Sequence, residues 1–491
     1  MSWCKYARHR RDEFDVSCLA TVPVDAMSTM HTTQQREVFV SVSASGITNP
    51  GHAGVLNQDA FFVFRSAKDD AIVLGVFDGH GKETGLDAAM TAKTFFEAQF
   101  QAYGPAEFAR LEHDPQTVMT ELFRTCHQII KSVFRGIYEH RGYRVEEDAC
   151  GGWLVAHDAL IPKSQGTCIR GGTTATITVL LRGGTKIITA NVGDSAAVIG
   201  GKHMLWRSGD VNSSEKTDGP KISPRFGDEI RSRYIALSGN HGADNEREYR
   251  RVRRHSWSCR GAQECAGGEL RFLYDSANTF TRPIHVFEQT TGGGLLFNAK
   301  GDYMKNVRDE WASVVVTPAD APIPDSLAFT RSLGDFHMHA YGVTCDPTVT
   351  ELSLDNVFDL PQPESQEDGS DDACERAPLE LFIIIASDGV WDNWKYKDLF
   401  DSVAQPTSAV AASRSPSQVC VWPLHTAGSL SRLTVHSGNN TKLSSKMAAP
   451  SSRGVDRIAT SLMDANLCRA QRIFGSQVDN MTVVVCRIVC Q

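Results

Sequence analysis

Five aspartates in this chain stand where a β-rich run meets a turn. Asp59 opens AFFVF, Asp78 closes AIVLGVF, Asp194 closes TKIITANVG, Asp388 closes LFIIIAS, and Asp479 lies just ahead of MTVVVCRIV. This recurrence constrains the fold more than any other feature. A strand in a packed sheet fixes its backbone, and the turn beyond it lets a short carboxylate project from the sheet's edge. Short β-branched runs bounded by Gly, Asp and Ser read as strands.

Strands and helices mix along the whole chain. Structure starts near Val38, where REVFVSVSAS alternates apolar and polar residues as a half-buried strand does. KETGLDAAMTAKTFFEAQF is spaced as a helix. TVMTELFRTCHQIIKSVFRGIYEH is a stronger amphipathic one, with Val118, Leu122, Ile129 and Val133 on its apolar face. TATITVLL and TKIITANV form a hairpin through Arg182-Gly183-Gly184. The residues therefore give one α/β domain over 37–491, preceded by a polar, aperiodic tail over 1–36. Three stretches break the pattern and read as insertions. Residues 243–311 are rich in Arg and Gly, with ELRFLY and GLLFNA as a local hairpin. Residues 361–378 are acidic and Pro/Ser-rich, a composition of disorder. Residues 404–453 are dominated by Ser, Ala and Thr.

Composition narrows the class. The 491 residues are 41% hydrophobic and 22% charged with a net charge of −8, so no global basic field draws the chain to nucleic acid or an anionic membrane. The opening MSWCKYARHRRDEF has no apolar run of a secretory signal, and the longest apolar run, Leu379 to Ala386, is too short to cross a bilayer. Thirteen cysteines without a CxxC pair point to free thiols in a reducing, cytoplasmic setting. The arginine run Glu246 to His255 is a candidate nuclear signal, though such runs are commonly solvated surface. His255, Cys259 and Cys265 lack a fourth ligand for zinc.

A set of carboxylates suits hard, oxygen-seeking cations such as Mg²⁺ or Mn²⁺, and Asp freezes fewer torsions than Glu in holding one. Any one Asp-Gly turn alone is an ordinary hairpin cap. The order NQDAFFVF, VFDGHG, GGTTATITVLL, ANVGDSAAVIG, LAFTRSLGDF, FIIIASDGVWD and DNMTVVV carries more weight. In these blocks the chain resembles the type 2C, metal-dependent serine/threonine protein phosphatases, from about Val38 to about Val485.

The resemblance implies an α+β fold of two antiparallel sheets packed as a sandwich and flanked by helices (α-β-β-α). It implies two Mg²⁺ or Mn²⁺ ions with a weaker third, phosphoprotein substrates, no nucleic-acid or membrane partner, and a monomer. Asp78 matches a carboxylate bridging both metals, Gly79 a residue offering its carbonyl, and Asp388 and Asp479 ligands of the second metal. Asp194, with Asp392, matches the third-metal position. Asp59 matches a carboxylate that orients water, and His80 the general acid that protonates the leaving alkoxide. The metals would lower the pKa of a shared water and neutralise phosphate charge.

The chain also departs from the family. A phosphate-clamping Arg is replaced by Gly54, a common Glu by Gln58, and an Arg after GDS by Ala196, while the Asp-His-x-Pro motif is reduced to TDGPKISP. A pseudophosphatase serving as a scaffold is the alternative. A cysteine nucleophile is a further rival, since Cys265 and Arg271 have suitable spacing but no preceding His. Residues 404–453 hold few large apolar side chains, and closing a long polar loop adds little entropy cost. Replacing them by a short linker is expected to leave a soluble, metal-responsive protein; an insoluble product in expression and metal-titration trials would assign them to the core.

Overall fold

A computed structural model describes residues 20–21, 31–33, 36–38, 40–52, 54–66, 71–148, 152–160, 166–201, 212–213, 233–259, 268–291, 293–354, 379–404 and 453–490. TDGPKISP, residues 361–378, and all of 404–453 but its two end residues lie outside these. The main elements are β1 (Val40–Asn49), β2 (Ala60–Ser66), β3 (Ala71–Phe77), α1 (Gly85–Ala102), α2 (Pro105–His113), α3 (Pro115–His140), β4 (Ala175–Leu181), β5 (Lys186–Val192) and β6 (Ala196–Gly201). They continue with α4 (Glu246–Cys259), β7 (Arg271–Tyr274), β8 (Ser313–Val316), β9 (Thr348–Ser353), β10 (Leu379–Ala386), α5 (Tyr396–Val403), α6 (Arg453–Phe474) and β11 (Met481–Cys490).

Two large antiparallel sheets face each other. One runs Ala20–Thr21, β1, β11, β10, β6, Tyr234–Ala236; the other runs Asn212–Ser213, β9, β5, β4, β3, β2. The run in β10 shows why the sequence is apolar without a break. Leu379, Leu381, Ile383 and Ile385 enter the core between the sheets, with Val42, Leu74, Val76 and Ile187. Phe382, Ile384 and Ala386 face the other way, onto Trp391, Trp394, Leu399 and Leu462. Beyond the second sheet, Phe62, Val73, Ile177 and Ile188 pack on Phe95, Phe96, Met119 and Phe123 of α1 and α3. The order of layers is helix, sheet, sheet, helix, the sandwich implied by the motifs.

Helix α3 starts where Asp114 accepts a hydrogen bond from the Thr117 backbone N–H, with Pro115 in the first turn. Its buried stripe is Val118, Met119, Leu122, Phe123, Cys126, Ile130 and Phe134. Ile129 is instead exposed and Val133 half-buried, because the i, i+4 row from Val118 runs through Ile130. Within the presumed tail, Ala20–Thr21 pairs with Ser45 and Gly46, and His31–Thr33 pairs with Arg36–Val38.

Much of 243–311 is folded. ELRFLY and GLLFNA do not pair with each other. β7 pairs with β8 and with Ile284–His285, whereas Leu295–Phe297 pairs with Phe287–Gln289. The reason is burial: Phe272, Leu273 and Tyr274 need cover on both faces, while Leu296 and Phe297 lie exposed and supply none. A satellite core joins Tyr249 and Val252 of α4 to Phe272, Val315, Met338 and Tyr341.

One buried ion pair fastens this unit to the rest. Glu248 on α4 accepts from Arg331 (2.5 Å), Arg251 (2.8 Å) and the Thr330 hydroxyl (2.5 Å). Burial would push the Glu248 carboxyl up, but Arg331 and then Arg251 outweigh it and hold it far below the usual carboxylate range. That contribution is in place at neutral pH and is lost only in strong acid. Glu248→Gln removes the carboxylate that Arg331 and Arg251 share in the interior and is expected to cost about 3–5 kcal/mol. Denaturant titration checks this, and a midpoint equal to wild type would show the pair to be dispensable.

Candidate functional site

The antiparallel register gathers the five aspartates. Phe77 at the end of β3 pairs with Ala60 at the start of β2, and Ala175 at the start of β4 pairs with Val192 at the end of β5. In the other sheet Ala196 pairs with Ala386, Ala386 with Val483, and Met481 with Asn49. The turns holding Asp59, Asp78, Asp194, Asp388 and Asp479 therefore all open at one edge of the sandwich.

Hydroxyl and amide side chains stitch these turns together. Thr174 Oγ1 accepts from the Asp78 N–H (3.1 Å) and shares a hydrogen bond with Ser195 Oγ (2.7 Å). Ser387 Oγ donates to Asp59 Oδ2 (2.9 Å) and accepts from the Thr482 N–H (3.0 Å). Asn480 Oδ1 accepts from the Gln58 N–H (2.7 Å), and its amide donates to the Pro50 carbonyl (3.0 Å). Close approach also dictates two glycines. A Cβ on Gly389 would stand 2.0 Å from the Asn480 carbonyl oxygen, and one on Gly79 would stand 2.4 Å from that of Gly85.

The carboxylates share one field. Burial, then the charges of Asp59, Asp388, Asp479 and Asp194, push Asp78 well above the ordinary range. Burial raises Asp59 to about 7 despite hydrogen bonds from Thr482 and Ser387. The surrounding protein, then Asp388, raises Asp479 at the exposed rim. Asp388 runs the other way: burial would raise it, but Lys305 prevails and holds it down. Burial raises Asp194 in spite of Lys305, and Asp392 goes up to about 7 in the same manner.

His80 stands beside this group, in a short strand against Gly172. Its Nε2–H donates to Asp335 Oδ2 (2.8 Å), and Phe329 meets its ring edge-on. Burial alone would lower the His80 pKa; the Asp335 charge and hydrogen bond outweigh it and raise it.

The departures also have structural readings. Gly54 is exposed in a left-handed turn (φ +85°), a conformation that disfavours arginine. Gln58 spends its amide on the Gly81 carbonyl (3.0 Å). Ala196 accepts from Trp391 Nε1 through its carbonyl (3.0 Å). Of the rival thiol pair, Cys265 lies outside the described residues and Arg271 donates to the Thr317 carbonyl (3.1 Å).

Sequence reasoning missed Asp335, Asn480, Thr174, Ser387 and Lys305. The first four lie inside the matched blocks and could have been found there by asking what holds each aspartate. Lys305 lies outside every block, and nothing in GDYMKNVRDE signals its place.

The donor chemistry fits hard cations. The acidic side chains offer only oxygen, they raise one another's pKa, and Asp59 Oδ1 is buried without a hydrogen-bond partner. Among the described residues, no three His, Cys, Asp or Glu side chains are grouped at metal-binding spacing. By the family resemblance, Asp78, Gly79, Asp388 and Asp479 are the residues that would hold metal.

Comparison with known proteins agrees with the motifs. The family model described as Protein phosphatase 2C matches residues 115–207, which include Asp194 but not Asp78, Asp388 or Asp479. A curated relative, "Probable protein phosphatase 2C 52" of Arabidopsis thaliana, is 32% identical over 96 residues, 20% of this chain. The match spans only 15% of that relative's length. Among solved structures, a serine-threonine phosphatase 2C from Toxoplasma gondii superposes loosely (13% identity, TM-score 0.47, 97% of this chain and 100% of that one). So does a C. elegans sex determining protein (14% identity, TM-score 0.41, 90% and 64%). The resemblance to the type 2C protein phosphatases thus stands on both the ordered motifs and the family match.

Asp335→Asn removes the charge that favours imidazolium. The His80 pKa is expected to fall, and an NMR titration of the His80 ring should place its midpoint at lower pH than in wild type. An unmoved midpoint would show that Asp335 does not hold the His80 proton.

Proposed function

We propose that this chain is a metal-dependent protein serine/threonine phosphatase that hydrolyses phosphoserine and phosphothreonine with an activated water. The observation that carries the reading is the convergence of Asp59, Asp78, Asp194, Asp388 and Asp479 at one sandwich edge beside the His80–Asp335 pair. When bound, two Mg²⁺ or Mn²⁺ ions would supply an activated water and offset the charge of the phosphate.

The chain's own residues do the rest. Asp78, the Gly79 carbonyl, Asp388 and Asp479 would hold the ions, and the strands behind them keep their spacing. Asp59, anchored by Ser387, has one free oxygen to accept a hydrogen bond and orient water. With Nε2 committed to Asp335, His80 has Nδ1 left to give a proton to the leaving serine or threonine oxygen. Gly54 provides no guanidinium for the phosphate, so substrate binding rests more on the metals than in relatives with an arginine there. No described helix is long and apolar enough to cross a membrane, and Cys126, Cys168, Cys345, Cys468, Cys486 and Cys490 are free thiols. The family match supports phosphoproteins as substrates, and we propose a cytoplasmic monomer as the form that acts on them.

The test is hydrolysis of a phosphothreonine peptide by the purified chain with Mn²⁺, with Mg²⁺ and with excess chelator. Activity is expected with either cation and none with chelator; full activity in chelator would indicate another catalytic class. Asp388→Asn should lower turnover by orders of magnitude without unfolding, since an amide is a poorer ligand of nearly equal size. Asp479→Asn should do likewise, and the double variant should lose little more. Near wild-type turnover of Asp388→Asn at saturating Mn²⁺ would favour the scaffold alternative.

A further inference from the structure

Lys305 lies in the segment between the satellite strands, far in sequence from every acidic turn, yet its ammonium is among them. Nζ is 2.8 Å from Asp194 Oδ2, 3.1 Å from Asp388 Oδ2 and 3.8 Å from Asp392 Oδ2. The placement is built rather than incidental. The Lys305 N–H donates to the Glu310 carbonyl (2.7 Å), and the Val307 N–H donates to the Asp392 carbonyl (3.1 Å). Asn306 donates to Glu310 (2.6 Å) and to Asp392 Oδ1 (3.3 Å). Arg308 donates to the Trp391 and Trp394 carbonyls and lies over the Tyr396 ring. A short loop is thus clamped to the SDGVWD turn, with one lysine pointing into the carboxylates.

We infer that Lys305 is a built-in cation that takes the place of a divalent ion between Asp194, Asp388 and Asp392. This rests on the metal reading above and narrows it. Asp194 becomes the lysine's partner, and Asp388, met by the lysine through Oδ2, serves divalent ions only on its side toward Asp78 and Asp479. The physical basis is charge compensation: crowded carboxylates need positive charge, and an ammonium within hydrogen-bond reach of two of them provides it without exchange with solvent. A second cation at the same place would have to displace that ammonium or lie against it.

The experiment counts Mn²⁺ on the full chain, stripped with chelator and then titrated by calorimetry and by electron paramagnetic resonance. Lys305→Met is expected to bind about one more equivalent than wild type, the opened Asp194–Asp388–Asp392 position accepting a hard cation. The extra equivalent should vanish in Lys305→Met combined with Asp194→Asn. Without metal, Lys305→Met should melt below wild type and recover more on adding Mn²⁺. If Lys305→Met does not fold, Lys305→Gln carries the same expectations. Equal stoichiometry and affinity in wild type and both variants would overturn the inference while leaving the metal reading intact. No Mn²⁺ bound by wild type or variants would overturn both.

Discussion

Like charges held close together are the constraint around which this structure is organised. Five carboxylates from five separate turns stand so close at one edge that four are raised, by burial and by one another's charge, while Lys305 holds Asp388 down. Such an arrangement is unfavourable unless something else holds the turns in place. Packing does that. The turns are the ends of strands buried on both faces, and hydroxyl and amide side chains tie one turn to the next.

The two sheets are more than a scaffold of convenient shape. In an antiparallel pair, the end of one strand lies beside the start of its neighbour, so every second turn falls at the same edge. The pairings Phe77 with Ala60, Val192 with Ala175 and Ala386 with Ala196 and Val483 turn that rule into a site. A one-residue slip in β10 would exchange its inward and outward side chains, exposing Phe382 and Ile384 to the wrong layer. The hydrophobic pattern that stabilises the sandwich therefore also sets the position of Asp388.

The insertion 243–311 and the block that follows it show what local composition leaves undecided. Within the run Glu246 to His255, Arg250 stays exposed while Arg251 turns inward and, with Arg331 from the later block, closes on Glu248. The same region delivers two charged groups to the site, Lys305 against the acidic turns and Asp335 against His80. Lys305 comes from between the matched blocks and Asp335 from within LAFTRSLGDF, and packing brings each to the acidic edge.

Two kinds of information separate cleanly. The sequence alone determined the strand runs and their aspartate-bearing ends, because period-two burial and turn residues are local properties, while the layered sandwich came only through the family resemblance. It also named Asp59, Asp78, Gly79, His80, Asp194, Asp388 and Asp479, through motifs whose order survives the interruptions. It misjudged the α3 face at Ile129 and the pairing of ELRFLY, since which neighbour covers an apolar residue is a question of three-dimensional contact. Only the tertiary structure decided that Gln58 turns to Gly81, that Asp335 holds His80, and that Lys305 enters the carboxylates. Each of these joins groups with no periodic or spacing signature between them, and a tertiary contact leaves no trace in either partner's neighbourhood along the chain.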